Sequence, residues 1–162
     1  MTSPTPPTSE PAPDPDRPSE PDTGALFDAL LTEHATIYGY GLVSAHSTVD
    51  DNELVSAALA EHRQRREAVI ATLTERSVKV PLPAAGYQLP MALDTPADAA
   101  RLAVRMEGDC ADAWRAVMEQ ASSDEDRRFA LTALTQSAVM AARWRRVLGA
   151  WPTTEAFPGG GE

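Results

Sequence analysis

"KVPLPAAGYQLPMALD", Lys79 to Asp94, is the stretch that decides how the rest of this chain can be arranged. Three prolines and a glycine keep it from being helix, because proline lacks the amide proton of the helical ladder and clashes with the preceding turn. Extended at about 3.1 Å per residue, residues 79–94 reach about 50 Å. A flanking helix of about 24 residues is about 36 Å long. The segment can therefore run the length of a helical bundle and start the next helix parallel to the one before it.

Outward from this segment lie four helical stretches and no convincing strand. On its N-terminal side, Ala25 to about His46 places Phe27, Leu31, His34, Tyr38, Gly41 and Ala45 on one face, at alternating steps of four and three. A second helix, about Asp51 to Ser77, follows cap candidates in "STVDD" and aligns Val55, Leu59, His62, Arg66, Val69 and Leu73. On the C-terminal side, "TPAD" offers Thr95 as cap, Pro96 as first helical residue and Asp98 as the acid that completes a capping box. The stripe behind it is Ala103, Glu107, Cys110, Trp114, Val117 and Ala121. The fourth helix starts at "SSDED", with Ser123 as cap, and stops at Gly149. It aligns Ala130, Leu134, Ser137, Ala141, Trp144 and Leu148. Only a few residues separate helices one and two, and three and four, so each pair should form an antiparallel hairpin.

The opening "MTSPTPPTSEPAPDPDRPSEPDTG", residues 1–24, is rich in proline and acids and poor in apolar side chains, so it reads as a disordered tail. Residues 25–157 are the expected folded unit and 158–162 a flexible end, with Trp151 and Phe157 expected to tack the C-terminal segment onto the body. A formal charge of −10 argues against nucleic acid and against an anionic membrane surface. The arginines do cluster, at Arg63, Arg65 and Arg66 and at Arg143, Arg145 and Arg146, and read as solvated faces or partners for acids. One cysteine, Cys110, gives neither a disulfide framework nor a cysteine-based zinc site. With no run approaching a membrane span, the expectation is a soluble cytoplasmic protein.

The polar residues on these faces carry a resemblance. Glu33 followed seven residues later by Tyr40 resembles the first-helix pattern of bacterioferritins and rubrerythrins. His62, followed by "AVIATL", is similar to their second-helix histidine, and "LAVRMEGDCADAW" resembles their third helix, with Glu107 at the glutamate position. "EHATIYGYG", "HRQRRE", "YQLP", Glu107, Trp114, "AARWR" and "AFPG" together resemble a bacterial ferritin-like family of unknown function, from Leu26 to Gly159. The resemblance implies an all-α, ferritin-like antiparallel four-helix bundle with one long crossover between helices two and three. In ferritin-like di-iron proteins, carboxylates and imidazoles converge on two metals from four helices. Here Leu59 stands where the second helix should carry glutamate, and Ala138 and Ala141 stand where the fourth should carry Glu-x-x-His.

Two readings follow. In the first, Glu33, His62 and Glu107 form a polar cluster neutralised by Arg66, with Tyr38 and Tyr40 supplying hydroxyls. The protein is then a non-catalytic binding or structural module with a degenerate metal site and no cofactor, a candidate homodimer whose protein or small-molecule partner is unknown. In the second, Glu33, His34, His62 and Glu107 hold iron, zinc or manganese in a rebuilt site, an oxidoreductase among the outcomes. Gly39 and Gly41 should let a neighbouring helix or Tyr87 approach the backbone, so that Gly41→Leu would overpack. Small residues at Ser137, Ala138 and Ala141 either interdigitate with large side chains or leave a pocket. Cys110 reads as an inert core residue.

Overall fold

Three of the four helices begin where the chain supplies a proline or a side-chain oxygen. In the computed structural model, which describes residues 14–160, the first helix, α1, spans Pro21–His46. It starts four residues ahead of the expected Ala25, since proline is pre-set for a first turn. Arg17 fastens this start through an ion pair with Asp28 at 2.7 Å. The rest of the expected tail, residues 1–13, lies outside the described residues, as do residues 161–162. A short 3-10 turn, Val49–Asp51, leads into α2, Asn52–Glu75. The third helix, α3, spans Pro96–Gln120 behind a complete Thr95–Asp98 capping box. The fourth, α4, spans Asp124–Val147, with Ser123 Oγ accepting from the amide of Asp126.

Helix ends are equally local. Ser77 adopts φ 58°, and the amide of Val78 then donates to the carbonyl of Leu73 at 2.9 Å, closing α2 with a Schellman-type turn. Gly149, at φ 63°, closes α4 in the same way, with Ala150 donating to Arg145. Among the described residues there is no strand. No helix among them is long and apolar enough to cross a membrane.

The core forms two apolar layers. One joins Leu26 and Leu30 of α1 to Val69 and Leu73 of α2, Trp114 and Val117 of α3, and Ala130 and Leu134 of α4. The other joins Tyr40 and Val43 to Val55 and Ala58, Leu102 and Ala103, and Met140 and Trp144. The N-terminal half of α1 thus shares a layer with the C-terminal halves of α2 and α3 and the N-terminal half of α4. Both hairpins are antiparallel, and α2 and α3 point the same way. Residues 76–95 make this possible. Val78 and Val80 pack against the first layer, and Leu89, Met91 and Leu93 against the second.

The inward stripes of α3 and α4 match the sequence reading. On α1 the inward set, Leu26, Leu30, Glu33 and Tyr40, is turned by one residue, about 100°, from the expected one. Apolar side chains ring most of this helix, so its sequence leaves the phase open. His34 and Tyr38 consequently face the connection. The imidazole Nε2–H of His34 donates to the carbonyl of Pro81 at 3.2 Å, and Tyr38 packs on Tyr87 with centroids 5.2 Å apart. Gly39 meets the Met106 thioether of α3, where a Cβ would collide, whereas a Cβ at Gly41 would meet nothing within 4 Å. Trp151 and Phe157 stand exposed. What ties the C-terminal segment to α3 is Arg115 donating to the carbonyl of Gly159 at 3.0 Å.

Candidate functional site

Between the two apolar layers lies a polar one, built by all four helices. Glu33 of α1, His62 of α2 and Glu107 of α3 are each 0% exposed. His62 bridges the two acids, Nδ1 lying 2.7 Å from Glu33 Oε2 and Nε2 lying 3.0 Å from Glu107 Oε1. Trp114 donates its indole N–H to Glu33 Oε1 at 2.7 Å. Tyr40 donates to Glu107 Oε1 at 2.6 Å and accepts from the indole of Trp144 at 2.9 Å. Tyr40, Trp114 and Trp144 each sit two helical turns along the stripe from Glu33, Glu107 and Ser137, and their long side chains reach back into the layer.

Charge in this layer is balanced by a second cation. Arg65, 3% exposed, reaches from α2 to α4, donating to the carbonyl of Ala133 at 3.0 Å and to Ser137 Oγ at 2.8 Å. Its Nε lies 3.5 Å from Glu33 Oε1. Burial works against a charge on His62, but hydrogen bonding to Cys110, Glu107 and Glu33 outweighs it and pushes the pKa up to about 12. Burial, followed by the Glu33 charge, also raises the pKa of Cys110. The thiol therefore stays neutral, and the anions beside His62 are the carboxylates of Glu33 and Glu107, at 2.7 and 3.0 Å. Two buried anions then face two buried cations, the condition under which such groups are tolerated in an interior. The 3.0 Å approach of Arg65 Nη2 to His62 Nδ1 is one between two donors, held by the Glu33 carboxylate that both face. Burial, then Glu107, raises the pKa of Tyr40 well above its ordinary value, so the phenol remains a donor.

Of the candidate residues, Glu33, His62, Glu107 and Tyr40 meet in this layer. His34 and Tyr38 lie on the connection side of α1. Arg66 is outside as well, paired with Glu67 at 2.6 Å, and Arg65 stands where Arg66 was expected. Residues three and four steps from His62 both flank its direction, and α4 lies on the side of Arg65. The roles of Trp114, Trp144 and Ser137 were also missed. An indole N–H on an inward stripe needs an acceptor, and that was the available signal. Cys110 joins the group too. One ligand atom each from Glu33, His62 and Cys110 lie within 4.8 Å of one another, with Thr36 Oγ1 3.2 Å from Cys110 Sγ.

Two atoms of the layer, Arg65 Nε and Glu107 Oε2, have no hydrogen-bond partner among the described residues. Glu107 also borders a cavity of about 450 Å³ between α3, α4 and the C-terminal segment.

A crystal structure of a conserved hypothetical protein, rv2844, from Mycobacterium tuberculosis is 64% identical to this chain, covering 85% of it and 96% of its own length, with a TM-score of 0.78. Comparison with curated proteins returns no match. Residues 25–162 match the family described as a domain of unknown function, DUF4439. With most of its length matched by that family, and with so similar a solved relative, the chain belongs to the DUF4439 family.

Proposed function

We propose that this chain is a ferritin-like bundle in which a closed ion-pair network occupies the level of the di-metal site, and that it acts as a non-catalytic binding or structural module. The observation that carries this reading is Arg65. Its guanidinium spans α2 to α4 and places a positive charge beside Glu33. A di-metal centre needs free carboxylates and imidazoles from four sides. Here both nitrogens of His62 are engaged by carboxylates, and at this level α4 offers Ser137, Ala138 and Ala141. These residues do not fit two metal ions, and a fixed cation opposes the entry of another. A cytoplasmic setting and a dimer through a helix face belong to the same reading. The first rests on the lone thiol, the second on exposed Leu131, Val139 and Val147 of α4.

The test is elemental analysis of untagged protein before and after anaerobic exposure to ferrous iron and to zinc. The expected result is no stoichiometric metal in the folded wild type. One or two equivalents that vanish in Glu107→Ala would overturn the proposal. A second reading, a single zinc, iron or manganese ion, is favoured by the convergence of Glu33, His62 and Cys110. Metal lost in Cys110→Ser but retained in Glu107→Ala would select it.

A further inference from the structure

Between α1, α3 and the connection lies a second pocket, of about 250 Å³, which none of the ionised groups of the polar layer lines. Its apolar wall comes from Tyr38 of α1, Met106 of α3, and Tyr87 and Leu89 of the connection. Two opposite charges of α3, Arg105 and Asp109, line the same space, and both are exposed to solvent. They stand one turn apart, about 6 Å along the helix axis. The ion pairs of α3 among the described residues are nevertheless Arg101–Asp98 and Arg115–Glu119, which leaves these two charges unpaired. Their order explains it. Helical side chains lean toward the N-terminus, so an arginine placed before its acid meets it poorly. Desolvation by its surroundings raises the pKa of Asp109, and the Arg105 charge offsets this only in part. The carboxylate is thus open to a ligand and short of positive charge.

We infer that this pocket binds a free amino acid with an apolar side chain, its ammonium on Asp109, its carboxylate on Arg105 and its side chain against the two tyrosines and Met106. A zwitterion satisfies two separated opposite charges without adding net charge. A simple cation would suit Asp109 and be repelled by Arg105, and a simple anion the reverse. Guanidinium matches a carboxylate through two parallel bonds. The rings of Tyr38 and Tyr87, with centroids 5.2 Å apart and planes at 50°, offer apolar surface to the side chain. The volume lies just below that of drug-sized sites, which sets the ligand at about one amino acid. This site also gives a use to "YQLP", Tyr87 to Pro90, all four of which line the pocket and none of which enters the polar layer.

Heteronuclear NMR titration of the full chain with L-leucine, glycine, N-acetyl-L-leucine and L-leucinamide tests it. Leucine should bind and shift the amides of Gly39, Gln88, Leu89, Arg105 and Asp109. Glycine, without the side chain, should bind more weakly. Removing either charge of the ligand should weaken binding roughly tenfold or more, the loss of one charge-assisted contact. Asp109→Asn should weaken leucine without weakening N-acetyl-leucine, and Arg105→Gln should weaken leucine without weakening leucinamide. Both side chains are exposed, so both variants should keep the circular dichroism and melting of the wild type. Leucine that leaves these amides unshifted, equal affinity across the four probes, or variants that weaken all probes alike would each overturn the inference. Metal content reports on the polar layer alone. A metal-free protein that fails these titrations therefore defeats this inference and leaves the ion-pair reading standing.

Discussion

His62 and His34 are both buried and take opposite charge states. His62 lies between two carboxylates, with its pKa pushed up to about 12 against the pull of burial. His34 donates to the carbonyl of Pro81, and burial, opposed in part by that bond, lowers its pKa from 6.5. The first ring is a cation that holds three helices together, and the second is a neutral donor that pins the connection to α1. Burial therefore does not decide the state of a histidine. Its partners do, because a carboxylate stabilises the imidazolium and a carbonyl gives far less. Glu33 and His34 are consecutive, yet one faces the polar layer and the other the connection, since successive helical residues point about 100° apart.

The most severe way to break this contrast is to unbalance the polar layer. Arg65→Leu leaves two buried carboxylates with His62 alone and should cost about 3–5 kcal/mol in urea denaturation. The corresponding loss of the bond on the connection side, in His34→Phe, should cost about 1 kcal/mol. Equal effects would remove the distinction between the two regions.

The pH dependence sharpens it. The pKa of His62 is raised on folding, so its contribution is complete below about 6.5 and is lost as pH rises toward 12, with a slope approaching about 1.4 kcal/mol per unit for one proton. His34 has the opposite sign. Its pKa is lowered, so its contribution is complete above about 6.5 and is lost as pH falls below that. Denaturation from pH 5 to 9 should show His62→Gln flattening the alkaline limb and His34→Gln the acid limb. An unchanged alkaline limb in His62→Gln would show that the ring is not charged in the native state.

The two glycines of α1 carry the packing side of the same contrast. Gly39→Val drives a side chain into Met106 and should cost about 1–3 kcal/mol by overpacking. Gly41→Ala meets open space and should raise stability by up to about 1 kcal/mol through helix propensity. The expected overpacking at Gly41 belongs instead to Gly39, because the inward phase of α1 is set by Glu33 and Tyr40. Melting temperatures of the two variants should therefore move in opposite directions.

Much of the architecture was open to a reader of the residues alone. The proline-broken stretch 79–94, the Thr95 and Ser123 caps and the inward stripes of α3 and α4 each rest on local chemistry, on φ restriction, side-chain oxygens and a 3.6-residue period with strong polar contrast. His62 and Glu107 stood out as an imidazole and an acid on otherwise apolar stripes, and Glu33 through the resemblance carried by its spacing to Tyr40. The rotation of α1 and the choice of Arg65 over Arg66 needed the folded chain. A period does not fix a phase where apolar residues surround the helix, and side chains three and four steps away both flank a given direction. Which of them turns inward depends on where the neighbouring helix lies. In this protein α4 lies beside Arg65, and the connection lies over His34.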